Sequence, residues 1–290
     1  MRFCSHFKYP PFPASQTQLC RYAAHLAHRL RPPSISAYLN VVRILHLEQG
    51  YPSPMSENWS LSTVLRGIHR DLGRPQKQML AITPVVLKAM HSKLDLSQNR
   101  NRAFWAACLV GFFTFFRKST LLPLSANHPC LADLRRSDAA FNANDIVITV
   151  KHSKTIQFGE RTLQVPVPRV RDSVLCPVTA MKDLWRACPH IPRHAAMFSY
   201  ELPSRRYTQL TQSVFVHILR STLSSCGLQP DKFSGHSFRR GGAKFAFSAG
   251  VPVEAIKAQG DWKSSAVERY LSPSLDLRRS LAKTVSESLP

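Results

Sequence analysis

The stretch from Phe104 to Phe116 constrains this chain most: thirteen residues without a charge, held between Arg102 and Arg117. As a helix it would be about 20 Å long, short of the ~30 Å hydrocarbon layer of a bilayer. It reads instead as a helix buried inside protein, which requires a sizeable core around it. With 290 residues the chain is long enough for two modest domains or one large one.

The flanking sequence suggests two domains. Leu19, Tyr22, Ala23, Leu26 and Leu30 recur at helical spacing, as do Ile35, Tyr38, Leu39, Val42 and Leu45. A third set, Leu61, Val64, Leu65, Ile68 and Leu72, is closed by Gly73. Short Pro and Gly joints between such helices make a small bundle, placed over residues 1–81. The segment from Gly73 to Ile82 has no period and reads as a linker. Thr83-Pro84 then predicts a capped helix start, which opens a second domain over residues 82–290. Within it, Asp145–Lys151 and Thr162–Val167 read as a hairpin joined through Phe158-Gly159, with Pro166 and Pro168 marking a sheet edge. Pro177 starts another helix, and Val214, Phe215, Ile218 and Leu219 line one more. The expected fold class is mainly α with a small antiparallel β-sheet.

Lys and Arg number 39 against 17 Asp and Glu, a net charge of +22. Residues 1–80 carry +7 and residues 81–290 carry +15, so the charge is not a tail. A spread of this kind suggests a long contact track on a polyanion such as duplex DNA, with a ribosomal-type protein or a merely soluble surface as the plainer readings. Seven cysteines form no C-x-x-C pair, which argues against a disulfide framework or a zinc ribbon. The first residues lack the apolar run of a signal peptide, so an intracellular protein without membrane contact is expected, nuclear if the host is a eukaryote.

Chemistry concentrates near the end of the chain. His236 and Arg239 stand at a helix start after Ser234-Gly235, three residues apart and so on one face. A helix start also offers free N–H groups to an anion. Trp262 follows in Gly-Asp-Trp and Tyr270 in Glu-Arg-Tyr-Leu. Gly241-Gly242 inside the same helix points either to close packing or to fraying. Taken alone, Arg117 reads as the solvated boundary of a core helix, and Lys154 as an exposed turn lysine.

Together these residues carry a family resemblance. The chain resembles the tyrosine recombinases of the phage-integrase superfamily in the phrases Arg-Lys-Ser-Thr-Leu-Leu, Ser-Lys-Thr, His-Ser-Phe-Arg-Arg-Gly-Gly and Gly-Asp-Trp-Lys-Ser-Ser, in family order. The resemblance is strong from about Thr83 onward and looser before it. It implies an amino-terminal core-binding domain of the SAM-like helical type and a catalytic α+β domain. It also implies six catalytic positions: Arg117, Lys154, His236, Arg239, Trp262 and the nucleophile Tyr270. The tyrosine stands eight residues after the tryptophan, a step closer to enzymes of eukaryotic DIRS- and Crypton-type mobile elements than to bacterial Xer proteins. Thr120 departs from the acidic residue that many bacterial members carry there.

What the resemblance implies is site-specific cleavage and rejoining of double-stranded DNA through a 3′-phosphotyrosine, by a homo-tetramer on paired sites. No cofactor, metal or ATP is expected, and no carboxylate cluster of the two-metal type is apparent. After Tyr270, residues Leu275, Leu281, Val285 and Leu289 suggest a tail helix, docked on a neighbour or on its own domain. Two other readings stand beside this one. One is a catalytically inactive DNA-binding remnant of a mobile-element recombinase; the other is a type IB topoisomerase, whose usual chains are larger.

Overall fold

The structure is a computed structural model. It describes residues 2–73, 79–126, 133–264, 267–268, 271, 279, 282–283 and 286–287. The chain divides into two compact units, Met1–Lys77 and Gln78–Pro290.

The first unit holds four helices: α1 (Arg2–Phe7), α2 (Gln16–Ala27), α3 (Pro32–Glu48) and α4 (Trp59–Leu72). The periodic apolar sets predicted the last three. The short α1 carries no such period: Phe3 reaches across to Tyr22, with ring centroids 4.9 Å apart. Helix α2 starts with a reciprocal cap, in which Ser15 Oγ accepts from the Gln18 amide at 3.2 Å and Gln18 Oε1 accepts from the Ser15 amide. Leu19, Ala23, Ile35, Leu39 and Leu61 form the core. His46 is a buried polar group beside it: Nε2 accepts from the Ala14 amide at 2.9 Å, and the other ring nitrogen donates to the Val42 carbonyl at 2.8 Å.

The second unit is organised around α6 (Asn99–Thr114), in which eleven of sixteen residues are buried. Before it comes α5 (Pro84–Lys93), where Thr83 Oγ1 accepts from the Val86 amide at 3.2 Å. After it come α7 (Lys118–Leu121) and a three-stranded antiparallel sheet of β1 (Ala139–Phe141), β2 (Asp145–Val150) and β3 (Leu163–Pro168), in that order. The expected hairpin is β2 and β3, paired with Val147 opposite Pro166. Ile146, Ile148 and Val150 alternate into the core. The strand β1 was not foreseen, because three residues are too few to show a period of two. It makes β2 central and leaves β3 at the edge that Pro166 and Pro168 need.

The remainder is α8 (Pro177–Ala187), a two-stranded pair β4 (Tyr200–Glu201) and β5 (Tyr207–Thr208), then α9 (Gln212–Ser225), α10 (His236–Ser248) and α11 (Val253–Gly260). Helix α6 packs against α8, α10 and β3. No described helix is long and apolar enough to cross a membrane.

The end of the expected linker is not loose. Leu80 donates its amide to the Lys232 carbonyl at 2.7 Å and Ile82 donates to that of Ser237 at 3.0 Å. Ile82 is fully buried. All four apolar residues of the expected tail helix lie outside the described residues.

Candidate active site

The site is built where α6 ends. Phe115 takes a left-handed conformation, φ 55°, at the C-cap where the helix ends. Arg117, half-buried, then caps α7 with extended backbone. The stretch from Phe115 to Lys118 lies beside the start of α10, which begins at His236. Arg239 donates through Nη1 to the Phe115 carbonyl and, at 2.8 Å, to the Gly260 carbonyl at the end of α11. A Cβ on Gly235 would come within 2.8 Å of the Lys118 side chain.

Gly241 and Gly242 explain the closeness. A side chain on Gly241 would run into the Ile82 carbonyl, and one on Gly242 into the Phe112 carbonyl. Of the two readings the sequence left open, close packing holds: the helix presses backbone to backbone on Ile82, two residues before α5, and on the last turn of α6.

Arg239 is almost fully buried, and its guanidinium carbon lies 3.5 Å from the centroid of the Trp262 ring. Trp262 is buried as well, and with Phe115, Ala243, Ile256, Val267 and Leu271 it forms a small second core beneath the site. His236 is exposed at the helix start. Surrounding protein disfavours its charged form, and the positive charges of Arg239, Arg117 and Lys118 do so further, so its pKa is lowered from the ordinary 6.5. The shift favours the neutral ring. Four of the candidate residues, Arg117, His236, Arg239 and Trp262, thus gather on one side of the α6 end.

Lys154 is exposed in the turn between β2 and β3 and joins this group only through its neighbours. The link is Asp261, whose carboxylate accepts from Ser153 Oγ at 3.2 Å, from Thr155 Oγ1 and from Arg161. Asp261 itself is left-handed, φ 53°, and caps α11 immediately before Trp262. Partial burial pushes its pKa up, but the bonds from Thr155, Arg161 and Ser153 outweigh that and hold it below the usual carboxylate value. Gln259 adds a second tie, donating at 3.2 Å both to the Phe113 carbonyl of α6 and to the Pro166 carbonyl of β3. Neither Asp261 nor Gln259 was singled out in the sequence; an acid after a helix-ending Gly was the one available signal.

Tyr270 lies outside the described residues. Thr120 is buried in α7. Among the described residues, no group of three or more His, Cys, Asp or Glu could hold a metal ion.

No family model matches the chain. Similarity to known proteins is nevertheless extended. The chain is 25% identical over 276 residues to an integrase/recombinase XerD homolog of Selenomonas ruminantium, covering 93% of this chain and 76% of that protein. It is 23% identical over 273 residues to the recombinase Cre of Escherichia phage P1, covering 87% and 74%. Among solved structures, the XerH site-specific recombinase bound to a palindromic difH substrate superposes with a TM-score of 0.62 at 13% identity, over 95% of this chain and 73% of that one. The chain has the fold of these recombinases, and its sequence relatives support a place for it in the tyrosine recombinase superfamily.

Proposed function

We propose that this protein is a site-specific DNA recombinase that cleaves and rejoins DNA strands through a covalent 3′-phosphotyrosine on Tyr270. One observation carries the reading: two arginines, a histidine and an indole from three separate segments meet at the end of α6, in a chain of net charge +22. Such a set suits a phosphodiester, whose cleavage depends on positioning and on stabilising charge spread over the non-bridging oxygens.

In this reading Arg117 and Arg239 hold those oxygens, and Trp262 packs Arg239 in place. The Tyr270 oxygen attacks phosphorus while the bond to the 5′ oxygen breaks. The phenol, with an ordinary pKa near ~10, passes its proton to His236. Lys154 gives a proton to the departing 5′ oxygen. Attack of a 5′ hydroxyl on the phosphotyrosine reverses the sequence, and the ester linkage is conserved throughout, so no ATP enters. The amino-terminal helical unit serves as the core-binding domain, the rest as the catalytic domain, and four copies act on two paired duplexes. The eight-residue step from Trp262 to Tyr270 favours a DIRS- or Crypton-type element, with a nuclear site of action in a eukaryotic host.

The test uses nicked duplexes tiled across the DNA flanking the coding region, where the ends of a mobile element would lie. Cleavage close to a nick in the same strand lets the short fragment with the free 5′ hydroxyl dissociate, which traps the covalent adduct for a denaturing gel. The full chain is expected to form the adduct on duplexes that share an inverted repeat, and Tyr270→Phe to form none. Salt-sensitive binding of the same duplexes with no adduct from the unmodified chain would overturn the enzyme in favour of a DNA-binding remnant.

A further inference from the structure

We infer that Asp261 is a positioning residue that sets the reach of Lys154 and ties it to the Arg239–Trp262 pair. The inference deepens the recombinase reading and rests on it for the role of Lys154. The residues on either side of that lysine, Ser153 and Thr155, both donate to the Asp261 carboxylate. Arg161, from the returning side of the hairpin, donates to its other oxygen. The turn is thereby gripped on both sides of Lys154, by an anion whose side chain is only 11% exposed.

The grip is also fixed at its other end. Asp261 occupies the left-handed cap of α11, so its direction is set by the helix end and not by a mobile loop. One residue before it, the Gly260 carbonyl accepts from Arg239; one residue after it, the Trp262 ring lies against the Arg239 guanidinium. Three consecutive residues, Gly260, Asp261 and Trp262, therefore address the two cations separately. A cation on a long flexible stem gains the most from such a fixed base, because the turn, not the four-carbon chain, decides where its ammonium can travel. Within the turn the order is local and narrow: Ser153 and Ile156 exchange amide-to-carbonyl bonds of 3.0 and 3.2 Å, and the Thr155 amide donates to Ser153 Oγ at 3.1 Å.

Asp261→Asn is the first variant, since asparagine has the same shape and also tolerates a left-handed backbone. Thr155→Val, which removes one donor from the opposite side, is the second. Amide hydrogen exchange on the DNA-free chain is expected to show loss of protection at Ser153 and Ile156 in both variants, with the rest of the hairpin and the thermal midpoint little changed. This readout needs no substrate. Unchanged protection of the turn in both variants would overturn the inference whatever the fate of the recombinase reading.

The second readout uses a duplex captured by the unmodified chain. Strand cleavage by Asp261→Asn is expected to slow by about 100-fold, the scale of a misplaced acid. A matched duplex with sulfur in place of the bridging 5′ oxygen has a leaving group that needs no proton, and on it the variant is expected to recover most of the rate. Equal slowing on both duplexes would assign Asp261 a merely structural part and overturn the inference; so would no slowing at all. Failure of the unmodified chain to form any adduct counts against the recombinase reading alone.

Discussion

The Arg239 guanidinium carbon lies 3.5 Å from the centroid of the Trp262 ring, while Nη1 donates to the carbonyls of Phe115 and Gly260. The indole is thus a wall of the arginine's seat as well as a possible donor. A desolvated contact of this kind is worth about 2 kcal/mol beyond the burial of the ring itself.

Trp262→Ala should therefore cost about 3–5 kcal/mol in urea unfolding of the second unit, the range for removal of a buried aromatic. Trp262→Phe, which keeps a ring face over the cation, should cost less than half as much. Equal losses from the two substitutions would show that stacking on Arg239 contributes nothing.

Two glycines of one helix should behave unlike a third elsewhere. In an open helix interior Gly→Ala stabilises by about 1 kcal/mol, and Gly67 in α4, with nothing within 4 Å of an added Cβ, should follow that rule. Gly241→Ala and Gly242→Ala should reverse the sign and destabilise by about 1–3 kcal/mol, because the new methyl meets the Ile82 or the Phe112 carbonyl. Denaturant midpoints decide it; stabilisation by Gly241→Ala would mean that α10 stands off from its neighbours.

The histidine offers a prediction with a definite sign. Partial desolvation of the exposed ring by surrounding protein and the charges of Arg239, Arg117 and Lys118 lower the His236 pKa, so in the folded, DNA-free protein it should titrate by NMR below the ordinary 6.5. The folded state binds this proton less readily than the unfolded chain does. The group is therefore neutral in its effect on stability above about pH 6.5 and lowers stability as the pH falls below it. Arg117→Gln should raise the midpoint. A midpoint at or above 6.5 in the parent protein would contradict the arrangement.

Binding to random-sequence duplex should be dominated by counterion release. If about six phosphates are neutralised, the association constant should fall about 10³-fold between 50 and 200 mM salt. A decline of less than about tenfold, read by fluorescence anisotropy, would mean that the +22 charge does not face a duplex.

Much of the scaffold was legible in the sequence because it repeats a period. The apolar sets marked α2, α3 and α4, and the Ile146–Ile148–Val150 alternation marked β2. The apolar run became α6, the most buried helix of the second unit. What escaped has no period to show. Strand β1 is three residues long, and α1 leans on aromatic contacts from another helix. Arg136, buried among the carbonyls of Cys188, Ile191 and Ser199 and 5.2 Å from the Trp185 ring, looks in sequence like any surface arginine. At the candidate site the residue types were readable, whereas the tie through Asp261 was not. It joins residues 108 apart in sequence by way of a left-handed backbone.

The acceptors that seat Arg239 come from residues 124 positions before it and 21 after it. Neither is near enough in sequence to be met by local folding. During synthesis, the helix carrying His236 and Arg239 can form early, but the arginine has no complete seat until Gly260 and Trp262 have left the ribosome and closed over Phe115. A truncated or half-folded chain would carry the same basic residues without the two carbonyls that fix the Arg239 guanidinium. Assembly order thereby reserves the complete seat of Arg239 for the finished second unit.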